Sequence, residues 1–162
     1  MNDLLSFKRN AMMLGLCTSY KDKWDEATSK EALMDMALDS NGVEMLADAA
    51  AFGWGMDIHY MKRTFSDYIN GKWKRNKDGY TSCLYVDFNG QIEQDCTLTT
   101  VLSSKVEFHV PEGSVCKLYV GGESTAHITG EGVCYVYSYG HNEVTGRFKS
   151  MNCVTKSEWV KD

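Results

Sequence analysis

Hydrophobic positions fall three and four apart along the first seventy residues and two apart beyond about Ser82, so one chain carries two periods. In "LLSFKRNAMMLGLC", Leu5, Met12, Met13 and Leu16 lie near helical spacing and predict a helix over 3–16. "TSKEALMDMALDSNG" predicts a second over 29–40. Thr28 followed by Glu31 reads as a capping box, Leu33, Met34, Ala37 and Leu38 as the apolar stripe, and Asn41-Gly42 as the stop. "VEMLADAAAFG" predicts a third over 43–52, with Val43, Leu46, Ala47, Ala50 and Ala51 inward. A fourth, over 57–70, opens at Asp57 as N-cap, buries Ile58, Met61, Phe65 and Ile69, and closes at Asn70-Gly71. The turn-rich "KRNKDGYTS" then joins a helical region, 1–75, to a β-rich region, 76–162. Trp73 and Tyr80 in this connection call for burial, so the two regions are expected to form one integrated unit.

Alternation over 82–148 predicts short strands with Cys116, Leu118 and Val120 inward, then Ala126 and Ile128, then Cys134, Val136 and Ser138, then Val144, Gly146 and Phe148. Cys116 to Cys134, Leu118 to Val136 and Ala126 to Val144 are each 18 residues apart. Stepping back by the same interval puts Leu98, Thr100, Leu102, Phe108 and Val110 inside. Turns keep the same step at "SSK" 103–105, "GGE" 121–123 and "YGH" 139–141, and again at "PEG" 111–113 and "TGE" 129–131. A fixed period marks a stacked architecture. Two strands and two turns close one coil, and equivalent residues stack at about 4.8 Å. The fold class read from this is α+β, with a β-solenoid-like coil after the helices. The alternative is an antiparallel β-meander or sandwich whose loops have similar lengths.

The stacked reading places particular side chains together. His109 and His127 share an outward row with Thr145 next, Tyr119 lies beside Tyr137, and Cys116 lies over Cys134 inside. Tyr135, Tyr137 and Tyr139 form an aromatic row. Such a row suits a partner-facing surface or packing against the helices. Two histidines without a third ligand are too few for a metal.

Composition narrows the function classes. The chain is 43% apolar and 24% charged, as soluble globular proteins are. Its apolar runs fall far short of the ~18 residues that span a bilayer. The opening "MNDLLSFKRNAMMLGLC" has no basic stretch ahead of an apolar core, which leads us to expect a cytoplasmic protein with no membrane partner. Six cysteines without a CxxC then read as free, buried thiols, and no closely spaced ligand pairs suggest zinc. No Gly-x-Ser-x-Gly appears, and "GGESTAHITGEG" lacks the Gly-Lys-Ser/Thr of a phosphate loop, so no catalytic residue and no cofactor is expected.

The net charge of −5 is unevenly spread. Lys62, Arg63, Lys72, Lys74, Arg75 and Lys77 face only Asp57 and Asp67 within 57–77. A basic cluster suits an anion or nucleic acid. Segment 43–70, with "GWGM" as its turn, has helix-turn-helix proportions. His59, Lys62, Arg63, Lys72, Lys74 and Arg75 are therefore candidate nucleic-acid or anion contacts. Two features depart from that motif: His59 stands where an apolar residue is expected, and the Gly-Trp-Gly turn is unusual.

The run from "SKEALMDMALDSNGVEMLADAAAFGWGMDIHYMKRTFSDYINGKW" through "DGYTS" to "VPEGSVCKLYV" resembles small uncharacterised proteins of gut Bacteroides-type bacteria and their phages or mobile elements. The resemblance brings no activity. It implies an intracellular, phage-encoded setting, in which small non-enzymatic proteins act by binding. The leading expectation is therefore a non-catalytic binding or assembly protein. Its partners would be itself, as a homo-oligomer, and a host or phage protein. Trp54, Tyr119, Tyr135, Tyr137, Tyr139, His109 and His127 are the candidate partner-facing residues. One alternative is a nucleic-acid-binding protein using 43–70 and 57–77. Another is an anti-defence sponge for a nucleotide, with Trp54, Trp73 and the tyrosine row stacking on the base and Lys74 or Arg75 near a phosphate.

Overall fold

A computed structural model describes residues 29–39, 43, 46, 47, 58–77 and 79–151. From residue 80 the chain winds as a β-solenoid of about four coils, each made of two strands. The coils are β2 (Tyr80–Val86) with β3 (Asn89–Glu93), β4 (Leu98–Leu102) with β5 (Lys105–His109), β6 (Val115–Gly121) with β7 (Thr125–Thr129), and β8 (Val133–Ser138) with β9 (Glu143–Gly146). Even-numbered strands, with β1 (Arg75–Lys77) and β10 (Lys149–Met151) at the edges, form a six-stranded sheet in the order β1-β2-β4-β6-β8-β10. The four-stranded sheet runs β3-β5-β7-β9. Every pair is parallel except β1 on β2. Cys116 pairs in parallel with Cys134, so the antiparallel meander is ruled out.

The step of 18 holds between the third and fourth coils, at Val115↔Val133 and Thr125↔Glu143. Elsewhere it changes. It is 16 at Ser82↔Leu98, 19 at Leu98↔Lys117 and 20 at Lys105↔Thr125. Side-chain direction alternates along a strand, so the odd step of 19 turns β4 over relative to the expectation. Thr99 and Val101 align with Leu118 and Val120 inside the coil, whereas Leu98, Thr100 and Leu102 point out of it. The even step of 20 leaves Phe108 inside but beside Ile128 rather than Ala126.

The coil interior holds Val101, Phe108, Val110, Leu118, Val120, Ala126, Ile128 and Val136, with Cys116 stacked on Cys134. A second apolar cluster covers the outer face of the six-stranded sheet. Leu84, Val86, Leu98, Leu102, Tyr119 and Tyr139 meet Met34, Leu38, Val43, Leu46, Met61 and Phe65 there, so helical and β parts share one core. Contact is close: a Cβ on Gly121 would lie 2.8 Å from the backbone oxygen of Ala47.

Of the four expected helices, the described residues show α1 (Lys30–Ala37) and α2 (Ile58–Thr64), the latter ending short of Asn70 in a 3₁₀ turn, Ser66–Tyr68. Segment 3–16 lies outside the described residues. Of 43–52 only Val43, Leu46 and Ala47 are described, helical and buried as predicted. The cap of α1 is Ser29, not Thr28: its Oγ accepts the Ala32 N–H at 3.1 Å. Glu31 does not close a capping box but accepts the Tyr68 hydroxyl at 2.7 Å. Among these residues no helix is long and apolar enough to cross a membrane.

Two devices hold the coils in register. Asn70, at φ 59°, donates its N–H to Leu84 and accepts the Val86 N–H on Oδ1, both at 2.8 Å. Together with β1 it covers the first edge of the six-stranded sheet, so the helical part caps one end of the coil. At one corner, Ser104, Ser124 and Asn142 stand one above another. The side chain of each accepts a backbone N–H of the coil before it: Phe88 on Ser104 at 3.0 Å, Ser104 on Ser124 at 3.0 Å, and Ser124 on Asn142 at 2.9 Å. Buried backbone donors at a tight corner need such partners.

Candidate functional site

Beside the described helical layer, on the outer face of the six-stranded sheet, Tyr80, Thr97, Leu98, Val115, Lys117 and Tyr135 line a groove of about 400 Å³. Leu98, Lys117 and Tyr135 belong to one row that register sets across the sheet. Arg75, Ser82, Leu98, Lys117, Tyr135 and Lys149 are successive partners, one from each strand, and so form a single row across the sheet. Three of the six are cationic. Val115, in the neighbouring row with Val133, is 60% exposed and gives the groove an apolar wall.

Aromatic rings and cations alternate here. The Arg75 guanidinium lies 4.9 Å from the centre of the Tyr80 ring, Lys149 Nζ 5.7 Å from Tyr135 and Lys117 Nζ 6.0 Å from Tyr137. A cation over a ring face at an exposed site contributes roughly 0.5–1 kcal/mol. It also fixes where the positive charge stands. Among the described residues the groove is lined by no histidine and no carboxylate.

The sequence-predicted residues divide. Tyr119 and Tyr137 stack as expected, with ring centres 4.5 Å apart and planes 9° from parallel. Tyr119 and Tyr139 are nevertheless buried against the helical layer, which corrects their reading as partner-facing. Tyr135 lines the groove, and Tyr137 is half-buried beside it. His109 and His127 do not share a row, because the coil between them is two residues longer than 18. His109 aligns with Thr129 and bonds Glu93 through Nδ1 at 2.8 Å; His127 bonds Thr145 at 2.8 Å, the neighbour expected for it. Trp54 and the "GWGM" turn lie outside the described residues.

The basic segment is drawn into local contacts rather than gathered into one patch. Lys62 pairs with Asp87 at 2.6 Å, and this bond holds the Asp87 carboxyl below its usual range. Lys72 reaches the Ser66 carbonyl at 3.3 Å, and Lys74 pairs with Asp95, which raises its ammonium. Arg75 is buried over Tyr80, while His59 and Arg63 are exposed on α2.

A second cluster was not expected from the sequence. The first coil brings Cys83 on β2 back against the β3–β4 corner, where Asp95 and Cys96 stand. The two sulfurs and a carboxylate oxygen all lie within 4.8 Å of one another. Both thiols are buried and free, and Thr99 Oγ1 is 3.8 Å from Cys83 Sγ. The hydrogen bond from Cys83 lowers the Cys96 thiol, and the same bond raises that of Cys83. No CxxC spacing announces this pair. Nor do Val115, Lys117 and Tyr80 stand out as groove residues in the sequence, because register alone unites them.

No protein-family model, curated protein or solved structure matches the chain.

Proposed function

We propose that this protein is a non-catalytic intracellular binding module whose ligand lies in the groove on the six-stranded sheet. The ligand is an anion with a flat apolar part, the chemistry of a nucleotide. The observation that carries this reading is the row Arg75–Ser82–Leu98–Lys117–Tyr135–Lys149, which sets three cations among tyrosine rings in a chain of net charge −5. A base stacked on an aromatic side chain gains about 1–3 kcal/mol, and the lysines supply the complement to phosphate. A phage-encoded setting, as expected from the sequence, would suit a sponge for a nucleotide signal of host defence. The nucleic-acid reading draws less support, because Lys62 and Lys74 are already paired with Asp87 and Asp95.

The test is a thermal-shift and calorimetric screen of mono-, di- and cyclic nucleotides. A ligand that binds only the folded state raises its melting temperature by mass action. At least one nucleotide is expected to bind, with Lys117→Ala and Tyr135→Ala each weakening it tenfold or more. Absence of binding at millimolar nucleotide, or binding that both variants leave intact, overturns the reading.

Self-assembly is a second reading, favoured by the last coil. Among the described residues no strand covers the outer edges of β9 and β10, and Met151 is 37% exposed. Light scattering that gives a monomer mass at every concentration removes it.

A further inference from the structure

We infer that Cys83, Cys96 and Asp95 form a binding site for one thiophilic divalent cation of the zinc type, open at its fourth position. The three donors already lie within 4.8 Å of one another. Around a tetrahedral zinc, with metal–sulfur bonds near 2.3 Å and metal–oxygen bonds near 2.0–2.2 Å, donors stand roughly 3.5–3.8 Å apart. Closing the set requires the donors to draw together by about 1 Å on this geometry.

Burial gives the site an inside and a mouth. Cys83 and Cys96 are 1% and 0% exposed, while Asp95 is exposed at the corner and supplies the way in. Charge balances as well. Binding releases one proton from each thiol to solvent. Two thiolates and a carboxylate then carry three negative charges, met by the divalent cation and the Lys74 ammonium on Asp95 Oδ2. That ammonium leaves the other carboxylate oxygen as donor and orients the group from behind, as outer partners of metal ligands do. Two sulfur ligands select zinc, cobalt or cadmium over magnesium or calcium.

The Cys116–Cys134 stack is the internal control. These thiols are equally buried and in register, but no carboxylate joins them in a three-donor group among the described residues. If core filling were the whole role of cysteine in this coil, the two pairs would behave alike toward metal.

The experiment is a titration of the reduced full-length chain with cobalt(II), read by thiolate-to-cobalt charge-transfer absorption and the visible bands of tetrahedral cobalt, with zinc as competitor. One equivalent is expected, displaced by zinc and unaffected by magnesium. Cys83→Ser and Cys96→Ser should abolish the signal, whereas Cys116→Ala with Cys134→Ala should keep it. Asp95→Asn guards against misfolding of the cysteine variants, since its site is at the surface. It should keep the metal-free melting curve and bind cobalt at least tenfold more weakly. No saturable signal in the fully reduced protein, a signal that survives Cys96→Ser, or unchanged affinity in Asp95→Asn overturns the assignment.

Discussion

The two sheets of the coil are built from the same chain by the same winding, yet they read differently and serve differently. In the four-stranded sheet, Lys105–His109 and Thr125–Thr129 alternate between core and solvent. In the six-stranded sheet, all five residues of Leu98–Leu102 are buried, because the coil interior takes one face and the helical layer the other. A strand buried on both sides loses its alternation. The difference shows why the groove lies where it does. The apolar rows that anchor the described helices run on into the groove, and Leu98 belongs to both the buried cluster and the groove. The four-stranded sheet, solvated outside, has no such continuation.

The largest effect is expected from Phe108→Ala, on the inner face of the four-stranded sheet. It empties a large, fully buried site between the two sheets and should cost about 3–5 kcal/mol. Loss of stability should be global, with hydrogen exchange accelerated in strands of both sheets. Leu102→Ala removes a buried contact on the other side of the six-stranded sheet, at about 2–5 kcal/mol. Here the comparison predicts a local loss. Exchange should rise over 30–37 and 58–70 first, while 105–109 and 125–129 stay protected. Uniform exchange in both variants would mean that the helical layer and the coil are not separable units of stability.

Ser124→Ala tests what the corner contributes to both sheets. It leaves the buried Ser104 N–H without its acceptor, a penalty of about 1–3 kcal/mol. A melting curve that does not shift would show that another acceptor takes the bond. Glu107→Ala lies on the solvated face of the four-stranded sheet, and a change within about 0.5 kcal/mol is expected. A larger loss would indicate that something covers this face.

The sequence made the coil legible where one face is wet or the corners repeat. Cys116, Leu118, Ala126, Ile128, Cys134 and Val136 are inside as the alternation required. It misled at β4, where Leu98, Thr100 and Leu102 are as apolar a row as Thr99 and Val101. Only the odd step to Lys117 decides which row faces in. Corner lengths set that step, and corners are polar and variable, so periodicity in the strands carries no record of them. A different step, 20 between β5 and β7, separated His109 from His127. The groove and the Cys83–Asp95–Cys96 cluster were hidden for a related reason: each is completed by residues distant in sequence. Lys117 and Tyr135 meet through register, and Cys83 meets Cys96 through closure of the first coil.

The smallest effect expected is a pH dependence confined to the helical layer. Tyr68 donates to Glu31 at 2.7 Å, joining the 3₁₀ turn to α1. That bond lowers the Glu31 carboxyl from its ordinary 4.5, and the Glu31 carboxylate pushes the Tyr68 hydroxyl up to about 12. A group with a lowered folded pKa contributes stability that is present above its unfolded value and fades as pH falls through the folded one. A group with a raised folded pKa contributes stability that is present below its unfolded value and fades as pH rises through the folded one. The difference in stability between the wild type and Tyr68→Phe should therefore be constant from about pH 5 to about pH 10. It should shrink on acidification below the ordinary range of Glu31, and shrink again as pH rises from 10 toward 12. Glu31 is exposed and Tyr68 only half-buried, so the plateau itself is small and salt-sensitive. A difference that is flat across the whole range would show that the bond does not persist in solution, and a difference that fades only at the acid end would assign it to the carboxylate alone.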